Sequence, residues 1–202
     1  MKEAPDSAIS EWVTGFVGEC SFFDDVMSLL ASDFFMPVSM SLILLFFWFG
    51  TRDPIKRKNY QYGVMCAAAS LGIANLVVHL SNMVFEFDPW LRPFDVHDSA
   101  AYAAKEIFYT PHDPSFPANA AASTFGAAFG MLLYNRKASI PLFVIAIVYS
   151  FSRVYAGVHY PIDMLGGLGI GLGTALFSYG LMRFLWQIPA VAHWIGKKFY
   201  LA

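Results

Sequence analysis

The sequence predicts an all-α polytopic membrane bundle, about five transmembrane helices with an interfacial helix at the N-terminus. Three observations carry this. The chain of 202 residues is 57% hydrophobic, with a mean hydropathy of +0.50. It holds five apolar stretches near the length that crosses about 30 Å of hydrocarbon, and its basic residues gather on one side of them. Soluble domains are rarely so apolar. Residues 1–202 are read as one domain, because no repeat, low-complexity tract or Pro/Ser-rich linker interrupts them.

The elements follow in chain order. Residues 8–31 mix Ile9, Trp12, Val13, Phe16, Phe22, Phe23, Leu29 and Leu30 with Glu11, Glu19, Asp24 and Asp25. That alternation suits a broken amphipathic helix lying along the membrane surface rather than crossing it. Met1–Ser10 is acidic and polar, without a basic leader and cleavage site, so a retained N-terminus is expected. Spans are predicted at 34–50, 61–84, 118–135, 139–155 and 162–187.

Charge orients the spans. Arg52, Lys56, Arg57 and Lys58 follow the first, Arg136 and Lys137 the third, and Arg183, Lys197 and Lys198 the fifth, which is nine of the thirteen Lys and Arg. By the positive-inside rule that side is cytoplasmic. The N-terminal segment, the connection 85–117 with Asp88, Asp95, Asp98 and Asp113, and the turn at His159 are then extracytoplasmic. The net charge of −2, with no basic stripe, gives no reason to expect a nucleic-acid partner. Cys20 lies in the outer-surface segment and Cys66 inside a predicted span, without metal-ligand spacing, so neither a disulfide nor a zinc site is assigned.

The outward turn between the last two spans carries the chemistry: Ser152-Arg153, five residues, His159, three residues, Asp163. Ionisable groups beside membrane segments are costly to keep, and their default reading is a functional site. The bland alternative is an Arg and a His snorkelling to headgroups, with Asp163 favouring a helix N-terminus. Two more outward segments can converge on this turn, Leu91-Arg92-Pro93-Phe94 and Asp113-Pro114-Ser115-Phe116-Pro117-Ala118-Asn119-Ala120. A phosphate ester resists attack because its oxygens are negative, so fixed cations must neutralise them. Arg92 and Arg153 offer planar forks matched to those oxygens. A neutral His159 can attack phosphorus to form a phosphohistidine, with Asp163 holding the other ring nitrogen. Ser152, Asn119 and the backbone N–H groups opening the third span are expected to complete the anion cradle.

Together these segments resemble the type 2 phosphatidic acid phosphatase (PAP2) family of membrane lipid phosphatases, over most of the chain. The third family motif is complete. The first keeps Arg92-Pro93 but has Phe85 where the family has Lys, which looks more like the branch acting on undecaprenyl diphosphate, the bacterial cell-wall lipid carrier. In the second, the family's Pro-Ser-Gly/Asn/Asp-His becomes Pro117-Ala118-Asn119-Ala120. Ala120 therefore stands at the position of the general-acid His, and Ala118 where Ser is usual. Ala120 is either a natural loss or an introduced substitution, the family look of its flanks favouring the second.

The resemblance implies a phosphatase with a lipid phosphate substrate, a multi-pass place in the bacterial cytoplasmic membrane, an extracytoplasmic site, and no metal or organic cofactor. Loss of the acid implies a weak or inactive copy. A non-catalytic lipid-phosphate binder and a lipid phosphotransferase stay open as alternatives, and oligomeric state is not encoded in any of these motifs. His97, Lys105 and His112 lie on the same side without an assigned role. His79 is expected to be buried, His193 to sit in a surface tail, and Phe94, Phe108 and Tyr109 to be interfacial belt aromatics. Gly167, Gly169, Gly171 and Gly173 are read as a close-packing stripe.

Overall fold

A computed structural model describes residues 4–85 and 91–199, apart from the side chains at 84 and 85. The acid expected at Asp88 lies outside the described residues, as does the side chain of Phe85. All regular structure among the described residues is helical: α1 (Ser7–Thr14), α2 (Ser21–Ala31), α3 (Phe35–Phe49), α4 (Pro54–Phe85), α5 (Pro93–Val96), α6 (Asp98–Ile107), α7 (Asn119–Leu132), α8 (Arg136–Tyr155), α9 (Pro161–Phe184) and α10 (Gln187–Lys198).

Local chemistry sets several of these ends. The Asp53 carboxylate accepts from the Ile55 N–H at 3.0 Å, beside Pro54 at the start of α4, a cap followed by the residue that tolerates losing its N–H. Asn135 caps α8 by accepting from Ala138 N–H at 3.0 Å. Pro161 opens α9, where the Asp163 carboxylate accepts the Tyr160 N–H at 2.8 Å, the reciprocal half of a capping box.

The bundle is built around α7, which packs against α4, α8 and α9. Its Ala121, Ala122, Ala127, Ala128 and Met131 are fully buried. Small residues let the neighbours approach closely. A Cβ on Gly167 would meet the Ala118 carbonyl at 2.5 Å, and one on Gly171 the Gly126 nitrogen at 2.7 Å. Gly169 and Gly173 face open space instead, so only alternate members of the glycine stripe form the α7–α9 seam.

Among the described residues, α4, α8 and α9 are each long and apolar enough to cross a membrane, and α2 with α3 make a fourth apolar path bent by 61°. At 14 residues α7 is about 21 Å long, a short helix inside the ring of longer ones. Large apolar side chains cover the outside of the bundle, including Leu42 and Phe46 on α3, Val144 and Ile147 on α8, and Leu176 and Phe177 on α9. The chain is a multi-pass membrane protein, and this is the surface lipid covers.

The predicted surface helix is broken between α1 and α2, where Gly18 has a φ of 95°. Both pieces fold onto one end of the bundle. Ile162 N–H donates to Asp6 at 2.7 Å and Tyr155 Oη to Asp24 at 2.6 Å. Basic residues mark the other end. There Asn59 donates to the Tyr134 carbonyl at 3.1 Å, Arg183 to Tyr179 at 3.1 Å, and Lys58 lies over the Tyr62 ring. His193 is buried there against Tyr62, because α10 folds back on α4 rather than trailing away. His79 is exposed, a second correction, since it points away from the neighbours of α4.

Candidate active site

A cavity of about 320 Å³ opens at the end opposite the basic residues. It is lined by Arg92, Asn119, Ala120, Arg153 and His159 from the expected set, and by Asp33, Asn75, Tyr109, Asp113, Ser123, Thr124 and Tyr149 besides.

The turn that presents His159 depends on one residue. Gly157 has a φ of 68°, and a Cβ there would lie 2.5 Å from the Ala100 carbonyl oxygen. Only glycine fits both the left-handed backbone and the contact. Two residues on, His159 is 8% exposed, with Nδ1 buried 3.5 Å from Asp163 Oδ2. That leaves Nε2 as the nitrogen available to the cavity. Asp163 is fully buried. Its Oδ2 also accepts from the Ser115 hydroxyl, so the connection before α7 fixes the carboxylate that faces the imidazole. Burial holds the His159 pKa below its ordinary 6.5, the Asp163 carboxylate opposes this, and the charges of Arg92 and Arg153 add to it. The ring is therefore neutral at pH 7.

The two arginines differ. Arg153 is stacked on the Phe108 ring at 4.1 Å, and its Nη2 donates to Asp33 and, at 2.6 Å, to Tyr149 Oη. Its Nε is buried with no acceptor among the described residues, a charged donor open to an oxyanion. Arg92 is committed elsewhere. Its Nη1 donates to the Val158 carbonyl at 2.6 Å, while Nε and Nη2 reach the Asp113 carbonyl at 3.0 and 2.8 Å. Nη2 also reaches the Pro114 carbonyl at 3.2 Å. Expected as a phosphate clamp, Arg92 is first a brace between the 113–114 connection and the His159 turn.

The remaining expected residues divide. Asn119 and Ala120 open α7 against the cavity, where first-turn N–H groups lack helical acceptors. Ala118 is buried behind them, its N–H donating to the Asp163 carbonyl at 3.2 Å. Ser152 is fully buried with its hydroxyl on the Tyr149 carbonyl at 2.8 Å. Neither lines the cavity, because the first turn of α7 and the packed face of α8 turn both side chains inward. His112 and Lys105 are exposed outside the cavity, and His97 faces Glu11 at 3.8 Å.

Sequence reasoning missed Asp33, Ser115, Tyr109 and Tyr149. Asp33 lies 120 residues from Arg153, and no spacing links positions so distant. Tyr109 lines the cavity, and Phe108, expected like it as a belt aromatic, lies against the Arg153 guanidinium. Tyr149 had one legible signal, a place one turn before Arg153 on the same helical face.

A neutral imidazole backed by a carboxylate, with a guanidinium across the same cavity, is equipment for phosphoryl transfer in a membrane protein. Residues 63–187 match the PAP2 superfamily. The chain belongs to that superfamily and is a phosphatase by class. It is 33% identical over 156 residues to the undecaprenyl-diphosphatase BcrC of Bacillus subtilis (strain 168), covering 75% of this chain and 71% of that protein. The crystal structure of Aquifex aeolicus LpxE shares the fold with a TM-score of 0.59 at 20% identity, over 89% of this chain and 97% of that one. A Bacillus subtilis transmembrane PAP2 type phosphatidylglycerolphosphate phosphatase gives 0.54 at 22% identity, over 89% and 85%. Asp33 lies outside the matched residues, whereas Tyr109 and Tyr149 lie within them.

Proposed function

We propose that this chain removes phosphate from an isoprenoid lipid diphosphate of the undecaprenyl diphosphate type, at the outer face of a bacterial cytoplasmic membrane. The observation that carries this is the His159–Asp163 pair and Arg153 on one cavity, supported by the likeness to a protein named as an undecaprenyl-diphosphatase. His159 Nε2 attacks the terminal phosphorus while Arg153 and the α7 N-terminus hold the oxygens. The bond to the lipid-side oxygen breaks, a phosphohistidine forms, and water then hydrolyses it. Asp163 stabilises the ring as it becomes cationic. Arg92 contributes its charge and the placement of Val158. Ala120 cannot donate a proton, so the chain is slower than a copy with His there. A diphosphate suffers least, because its leaving group is itself a phosphate.

The outer-face assignment rests on the charge asymmetry. Single-cysteine variants at positions 56 and 105 should be labelled from opposite sides of intact cells, and labelling from one side would overturn it. Function is tested by phosphate release from a panel of prenyl and glycerol lipid phosphates. Ala120→His should raise turnover by up to the roughly 10²–10⁴-fold of a positioned acid, and His159→Ala should abolish it. Lipid phosphate that binds but is never turned over, even by Ala120→His, would favour the non-catalytic binder.

A further inference from the structure

We propose that the Tyr149 hydroxyl is the proton donor to the leaving oxygen, in the role that Ala120 cannot fill. This rests on the phosphatase reading of the cavity. Four hydroxyl-bearing side chains line that cavity: Tyr109, Ser123, Thr124 and Tyr149. Three of them spend their proton on the protein. Tyr109 donates to Asp33 Oδ2 at 3.0 Å, Ser123 to the Asn119 carbonyl at 2.9 Å, and Thr124 to the Ala120 carbonyl at 2.6 Å. Tyr149 is the exception. Its oxygen accepts from Arg153 Nη2 at 2.6 Å, and among the described residues no acceptor takes its O–H. The side chain is only 3% exposed. A buried phenol usually finds a partner for its proton, and an oxyanion in the cavity would supply one.

Arg153 makes the transfer feasible. As the bond from phosphorus to the lipid-side oxygen breaks, its electron pair stays on that oxygen and the Tyr149 proton joins it. The tyrosinate left behind is paired with the guanidinium already in contact. In the second half, water attacks the phosphohistidine, its proton goes to the tyrosinate, and the P–N electron pair returns to His159 Nε2. Both residues end as they began. Asp33, from the α2–α3 junction, faces the same guanidinium and works against ionisation of the phenol, while Tyr109, His159, Asp113 and Arg92 are the other titratable or charged groups on the cavity.

The test uses leaving-group dependence. Single-turnover rates are measured in detergent micelles with a prenyl monophosphate, whose leaving alkoxide is strongly basic, and with 4-nitrophenyl phosphate, whose leaving group needs little protonation. Tyr149→Phe should slow the prenyl monophosphate about 10²-fold, change the aryl phosphate less than about threefold, and leave inorganic phosphate binding within about threefold. In an Ala120→His background the same substitution should cost less than about tenfold, because imidazole then supplies the proton. Equal losses on both substrates would assign Tyr149 to phosphate binding or packing and overturn the proposal. Activity that appears only with Ala120→His would also overturn it while leaving the phosphatase reading intact. No turnover by either chain on any substrate would remove both.

Discussion

Arg92 Nη1 donates to the carbonyl of Val158 at 2.6 Å, one residue before His159. A buried cation thus fixes the backbone that aims the imidazole, from 66 residues away in sequence. Its other bonds, to the carbonyls of Asp113 and Pro114, fix the connection that supplies Ser115 to Asp163.

Arg92→Lys should therefore behave as a placement defect. Lysine keeps the charge but not the planar fork that bridges three carbonyls, and buried carbonyls left unpaired cost about 1–3 kcal/mol each. The expected result is a single-turnover rate at saturating substrate lowered by more than about tenfold, with a smaller change in KM. A rise in KM at unchanged rate would make Arg92 a simple clamp.

Asp33 is paired with Arg153, the cation that the proposed function assigns to phosphate. Its side chain is 43% exposed, so water screens the repulsion to the order of 1 kcal/mol. Asp33→Asn should tighten inorganic phosphate binding roughly fivefold, read by isothermal titration in micelles. Weaker binding would mean that the carboxylate's hold on the guanidinium matters more than its charge.

The pH profile follows from His159. On the proposed mechanism the attacking imidazole must be neutral, and burial holds its pKa below 6.5, so the neutral form persists as pH falls through 6.5. The acid limb of log(kcat/KM) should have its midpoint below 6.5. Asp163→Asn removes the group that opposes the shift, and the limb of its residual activity should move to still lower pH. A limb above 6.5 would contradict the burial of the ring.

Gly157→Ala should damage folding and activity together. The left-handed backbone costs a non-glycine residue about 1–2 kcal/mol, and the added methyl would sit 2.5 Å from the Ala100 carbonyl oxygen. A lower midpoint of thermal unfolding in detergent, with reduced turnover, is expected. An unchanged midpoint would show that the turn relaxes freely.

Helix identity was legible because apolar stretches of spanning length have few other uses, and α3, α4, α8 and α9 fall within a few residues of their expected bounds except at the earlier start of α4. The centrality of α7 was not. It was read as one span among five, and only the close approach of α4 and α9 explains its alanines and glycines. His159, Asp163 and Arg153 were legible because one turn and two helix ends hold them in fixed spacing. By itself the sequence determined the family motifs and the membrane class, and it supplied the expectations behind the proposal: His159 as nucleophile, Asp163 as its orienting acid, a missing proton donor at Ala120 and a shared side of the membrane. Tertiary structure alone decided that Arg92 braces the turn, that Asp33 pairs with Arg153, that Ser152 is withdrawn and that the Tyr149 O–H meets no acceptor among the described residues. Each of these is a contact or a missing contact between groups far apart in the chain or on packed helix faces, and local spacing does not encode such relations.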